Sequence, residues 1–216
     1  MTDADVLVPD ADLDALDWDG VDLSGRDASR ARFLECTLVG CTADGLRIDH
    51  ARLLDTTITA LRAGDLRAPS STWRDVTVTD ARLGALGAAG AELTRVSVTG
   101  GKIDYLDLRD TRVDRLRLER VTIGDLDLAG AQVEHLAVVD CEVRRLDVTG
   151  ARLRSADLRG ARLRETVDGI GGLAGARISG EQLLDLAPLL ARHLGIVVDE
   201  QPGPSARDQG AGRAPR

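Results

Sequence analysis

Ala156-Asp157-Leu158-Arg159-Gly160, followed at once by Ala161-Arg162-Leu163-Arg164-Glu165, places a small apolar residue first, a leucine third, and charged or turn-forming residues around them. The same spacing runs back without insertion to Ala11-Asp12-Leu13-Asp14-Ala15 and forward to Ala176-Arg177-Ile178-Ser179-Gly180, which makes 34 consecutive pentapeptides. Of the 34 third positions only Asp168 is not apolar, whereas a chain of 43% hydrophobic content would supply about 15 by chance. That column is a packing constraint. The first positions form a second column of small or aliphatic residues, such as Ala31, Cys36, Cys41, Ala91, Ala131 and Cys141, with Arg26 as its one bulky charged member.

Two inward residues in every five fit neither the 3.6-residue period of a helix nor the two-residue period of a flat strand. Five residues instead make one short extended side and one turn. Eleven of the 23 glycines stand at the fifth position, where the second central place of a type II turn needs a positive φ.

On these residues the chain resembles the pentapeptide-repeat family, whose loose consensus Ala-(Asp/Asn)-Leu-x-x is matched by Ala156-Asp157-Leu158-Arg159-Gly160 and its neighbour. The resemblance implies an all-β solenoid, the right-handed quadrilateral β-helix, with four pentapeptides to a coil. The sequence checks the four-sided form independently, because Leu46, Leu66, Leu86, Leu106, Leu126 and Leu146 recur every 20 residues. The opposite face carries Thr56, Val76, Val96, Leu116 and Leu136. Large residues from one pair of walls and small ones from the other should fill a narrow interior. At ~4.8 Å per coil the rod is on the order of 40 Å long.

Composition agrees. One Phe, one Tyr and two Trp in 216 residues leave a single compact core without its usual large fillers. Lys102 is the only lysine and asparagine is absent, a bias that suggests GC-rich codons and a bacterial source. No signal-like start and no apolar run of membrane-spanning length occur, so a cytoplasmic protein without membrane contact is expected. Three cysteines with no CxxC make neither a disulfide framework nor a zinc site.

The expected organisation is a flexible acidic segment over residues 1–10, the β-helix over 11–180, a helical cap over 181–200 and a disordered tail over 201–216. Ser179-Gly180-Glu181-Gln182 has the form of a capping box, and Pro188 should kink or divide the helix that follows. Thr166 to Gly172 reads as a loop in the last coil. Leu183, Leu186, Leu190 and Leu194 are candidates for the cap and for a dimer contact, since the resemblance implies that some relatives dimerise through C-terminal elements.

No residue suggests catalysis, a metal site or a cofactor. Cys36, Cys41 and Cys141 lie in the small inward column, His50 and His135 fall at turns without partners at ligand spacing, and His193 lies in the cap. Ser71 has neither nucleophile setting. Trp73 is oversized for its column and should force a local bulge.

The charges divide unevenly. Residues 1–30 hold nine acids against Arg26 and Arg30, while the rest of the chain is close to neutral. Asp107, Asp127 and Asp147 recur every 20 residues, with Asp104, Asp110 and Asp125 nearby, and Arg112, Arg115, Arg152 and Arg154 fall on the next face. An acidic ridge beside a basic one is expected. The leading reading is a non-enzymatic scaffold for an unknown protein partner. The alternative, implied by relatives similar to quinolone-resistance proteins, is a DNA mimic that binds DNA gyrase. Direct nucleic-acid binding is not expected, because acids interleave with the bases and stacking aromatics are missing.

Overall fold

The computed structural model describes residues 3–199. Each third position sits mid-strand and faces inward. Asp12–Asp14 (β1), Asp17–Asp19 (β2), Arg32–Leu34 (β3) and Thr37–Val39 (β4) each bury only their central residue. Successive coils pair in parallel at a constant offset, with Leu13 beside Phe33, Phe33 beside Leu53, and Leu106, Leu126 and Leu146 side by side. The product is a β-solenoid of about 8 turns with a single C-terminal helix.

The fifth position turns the chain. All 17 non-glycine residues with positive φ occupy it, from Asp10 (φ 60°) to Ser155 (φ 51°). Each costs about 1–2 kcal/mol in a left-handed conformation, and the ladder that the turn completes offsets this, as where Ala15 N–H donates to Leu34 C=O at 2.9 Å. Glycine is therefore favoured there but not required. One corner departs from the expected turn. Strands Arg62–Arg67, Arg82–Gly87, Lys102–Asp107, Thr122–Asp127 and Cys141–Asp147 run through it without a break, and none of its corner residues has a positive φ.

The interior is aliphatic. Leu46, Leu66, Leu106, Leu126 and Leu146 are buried, as are Thr56, Val76, Val96, Leu116 and Leu136 opposite them. Leu86 is only partly buried, because Gly84 and Gly87 beside it offer no side chain as cover. The bulge expected at Trp73 does not occur: Leu53, Trp73 and Leu93 keep regular register. Ala63, ten residues earlier and so on the facing wall, leaves room for the ring, and Trp73 Nε1 donates to Ser71 Oγ at 2.8 Å. A void of about 40 Å³ remains among Trp73, Leu83, Leu86 and Leu106.

Cys36, Cys41 and Cys141 are buried, with their Sγ atoms 3.3–3.6 Å from backbone carbonyls. Burial pushes all three thiols up, against backbone hydrogen bonds that act the other way. Since the thiolate is the reactive form, the native protein should give no fast reaction with a thiol reagent at neutral pH and release all three thiols in denaturant. A fast-reacting native thiol would take that column out of the interior.

The frame slips once. Val143 pairs with Leu163 but Arg145 with Thr166, so one extra residue enters and Val167, not Asp168, turns inward. This explains the single polar third position. Thr166 to Asp168, expected in a loop, instead complete the strand Ala161–Asp168, and a 3-10 helix follows at Ile170–Leu173.

Helix α1 (Gly180–His193) begins with the capping box: Gln182 N–H donates to Ser179 Oγ at 3.1 Å and Ser179 N–H to Gln182 Oε1 at 2.8 Å. The expected kink or division at Pro188 is absent as a break, since α1 runs through it. Proline deprives the Leu184 carbonyl of its donor, and Leu184 is 75% exposed, so water can take that place. Leu186 is buried and Leu190 partly so, whereas Leu183 and Leu194 are exposed.

Ahead of β1, where a flexible segment is expected, Asp3–Val6 form a 3-10 helix, and Ala4 and Leu7 are buried against the end of the core. Arg26 leaves the inward column and meets Asp5 at 3.0 Å. The tail expected over 201–216 lies outside the described residues.

Candidate interaction surface

Second and fourth positions point outward. Aspartate at the second position first serves the backbone. Asp22, Asp27, Asp107, Asp127, Asp147 and Asp157 each accept the N–H two residues on, at 2.8–3.1 Å. This side-chain turn is the physical reason for an acid beside the central leucine.

The six acids expected as a ridge therefore differ from one another. Asp107, Asp127 and Asp147 stand in register on adjacent strands. Asp107, however, is buried and held by Arg109 through two hydrogen bonds, Nε to Oδ1 at 2.9 Å and Nη2 to Oδ2 at 2.7 Å. Asp127 accepts from Tyr105 Oη at 3.1 Å and lies 3.5 Å from Arg109 Nε. Asp125 is paired with Arg144 and Arg145, and Asp104 with Lys102 at 2.7 Å. Of the six, only Asp110 and Asp147 have no cationic partner among the described residues. The expected acidic ridge is corrected to a line of mostly neutralised carboxylates, because arginines two residues on or one strand away reach them.

The neighbouring face is mixed. Arg112 lies 3.6 Å from Glu92 and Arg115 3.9 Å from Asp114, while Arg152 and Arg154 border an open groove of about 420 Å³ shared with Glu92, Asp114 and Glu134. His135 Nδ1 stands 3.2 Å from Asp114 Oδ1. His50 and His135 occupy positive-φ corners. Ser71 is buried, its Oγ donating to the Ala68 carbonyl at 2.6 Å. Among the described residues no group of three His, Cys, Asp or Glu is arranged to hold a metal ion.

Residue types alone did not single out Arg109, Tyr105 or Gln182. The first had a usable signal, since Asp107-Leu108-Arg109 repeats the triplet Asp157-Leu158-Arg159, in which the arginine folds back on the aspartate in the same way.

These contacts set the response to acid. Burial opposes ionisation of Asp107, but the Arg109 side chain, its N–H and its charge outweigh that and hold the carboxyl below the usual range. Hydrogen bonds from Arg159 hold Asp157 at about 2. Arg30 and Arg95 lower Asp10 and Asp75 in the same sense. A carboxyl depressed in the folded state stabilises it above the unfolded pKa, and that contribution is lost as pH falls through the folded value. The urea midpoint should stay level from neutral pH to about 5 and drop between about pH 4 and about pH 2. A midpoint that held constant down to pH 2 would mean that these bonds do not form in solution.

No protein-family model matches the chain, and no curated protein does. Among solved structures it is similar to HetL, a pentapeptide-repeat protein involved in heterocyst differentiation regulation from the cyanobacterium Nostoc sp., at 17% identity over 78% of this chain and 90% of that one, with a TM-score of 0.31. It is also similar to QnrB1, a plasmid-mediated fluoroquinolone resistance protein, in its full-length form at 16% identity over 86% of this chain and 100% of that one, with a TM-score of 0.25. The coil geometry itself makes the match to the pentapeptide-repeat β-helix: five residues to a side, four sides to a coil, and a helix at the C-terminal end.

Proposed function

We propose that the chain is a non-enzymatic scaffold whose rigid outer surface binds another protein. The observation that supports this reading is the unbroken coil register from Leu13 to Val143. It holds each outward side chain on a lattice set by the backbone, while the surface grooves stay open rather than enclosing convergent polar groups. Affinity capture with the purified chain should recover a protein partner that survives moderate salt. Consistent recovery of none would count against the scaffold.

The C-terminal element adds a homodimer to this reading. Leu183, Leu184, Leu194, Ile196 and Val197 are exposed together, and apolar surface of this kind marks an association site. Sedimentation should give a dimer, and Leu184→Glu should yield monomers. A monomeric wild type would remove the dimer.

Mimicry of duplex DNA towards gyrase is the second reading, favoured by the acidic first coil and by Asp110 and Asp147. The pairing of Asp107, Asp125 and Asp127 weighs against it. A supercoiling assay at two salt concentrations, with and without a quinolone, tests it: mimicry demands inhibition or drug protection that fades as salt screens the charges.

A further inference from the structure

The two ends of the solenoid are not equivalent. At the C-terminal end α1 is tied to the last coil, where Gln182 Nε2 donates to the Leu158 and Ala161 carbonyls at 2.7 and 2.6 Å. At the N-terminal end β1 and β2 pair on one side only, with β3 and β4. The Asp3–Val6 helix plugs the interior with Ala4 and Leu7 but adds no strand.

The repeat identifies the backbone groups left over. In the second coil the N–H groups of Arg32 and Thr37 donate to Ala11 and Leu16, both at 2.8 Å. The carbonyls of Leu34 and Val39 accept from Ala15 and Gly20, at 2.9 and 2.8 Å. One coil earlier the equivalent groups are the N–H of Asp12 and Asp17 and the C=O of Asp14 and Asp19. They face away from the rod, and among the described residues no strand lies beyond them. Such an edge is a template for another strand.

The charge beside this edge says what kind of strand. Asp14, Asp17 and Asp19 stand along it with no cationic partner among the described residues, and Asp12 pairs only upward, with Arg32 at 2.8 Å. Elsewhere in the rod an acid is met by a guanidinium one coil on: Arg30 on Asp10, Arg32 on Asp12, Arg95 on Asp75 and Arg145 on Asp125. The first coil presents the acids of this arrangement with nothing on their outer side.

We propose that β1 and β2 form a docking edge for an extended segment of a partner protein, with Lys or Arg at alternate positions around a small apolar residue. The segment adds a strand, so that main-chain hydrogen bonds supply affinity and the aspartates select the sequence. Its basic side chains lie one strand spacing, ~4.8 Å, from Asp14, Asp17 and Asp19, and the residue between them turns toward the plug of Ala4 and Leu7. This deepens the scaffold reading and rests on it.

The test is fluorescence anisotropy of the full chain with three synthetic peptides: one alternating Arg and Ala, one of the same composition with the arginines contiguous, and one alternating but N-methylated on its backbone. The alternating peptide should bind about tenfold more tightly than either control, and Asp14→Asn/Asp17→Asn/Asp19→Asn should lose about tenfold of that affinity. Equal binding of the three peptides would overturn the proposal, since unpatterned attraction would then suffice. So would unchanged affinity in the triple variant. If that variant failed to fold, the peptide comparison on the wild type would still decide. A native partner recovered equally by the wild type and a folded triple variant would sink the docking edge and leave the scaffold standing.

Discussion

Leu126→Asp should abolish the folded rod. Leu126 lies between Leu106 and Leu146 on adjacent strands, all three are buried, and no cation or polar donor faces this column. A carboxylate there must be neutralised or leave the interior, and the loss should exceed about 4 kcal/mol. That is comparable with the whole stability of a domain. Circular dichroism should lose the β signal, or the urea transition should vanish. Leu126→Ala, which only removes volume, should cost about 2–5 kcal/mol. Arg159→Glu should cost no more than about 1 kcal/mol, because the Arg159–Asp157 pair is on the surface. Wild-type stability in Leu126→Asp would mean that the column is not inward.

Gly101→Val should produce the second large loss. Gly101 has φ 79°, and a Cβ on it would lie 2.1 Å from the Ala81 carbonyl oxygen and 2.7 Å from the Ala81 nitrogen. Both atoms are backbone in the coil below and cannot rotate away, so a cost of about 3–5 kcal/mol is expected, read as a shift in the urea midpoint. Gly20→Ala is the control. Gly20 has a similar φ of 63° but nothing within 4 Å of a built Cβ, and Ala15 and Ala60 already adopt that conformation. Its cost should be about 1 kcal/mol. Equal losses in the two variants would mean that conformation alone, and not the close approach of coils, explains Gly101.

Much of the fold can be read from residue types because each coil repeats the same environments. Leu106, Leu126 and Leu146 occupy one environment three times, so a spacing of 20 residues reports the number of sides directly. Trp73 and Leu86 show where that reading stops. Whether a large ring fits depends on Ala63 across the interior, and whether a leucine is covered depends on the glycines beside it. Neither neighbour belongs to the same column. The candidate surface was less accessible still: Asp104, Asp107, Asp125 and Asp127 have the spacing of a ridge, but Lys102, Arg109, Arg144 and Arg145 decide how much of their charge remains.

The sequence by itself determined the five-residue side, the four-sided coil, the inward columns and the capping box of α1. Each rests on a steric or hydrogen-bonding preference of single residues, repeated often enough to show as a period. Only the tertiary structure decided which carboxylates are neutralised, where the frame absorbs an extra residue, how Gln182 holds the last coil, and that β1 and β2 keep an open edge. Those outcomes depend on distances between residues far apart in the chain and on the ends of the stack, where the repeat has no further neighbour.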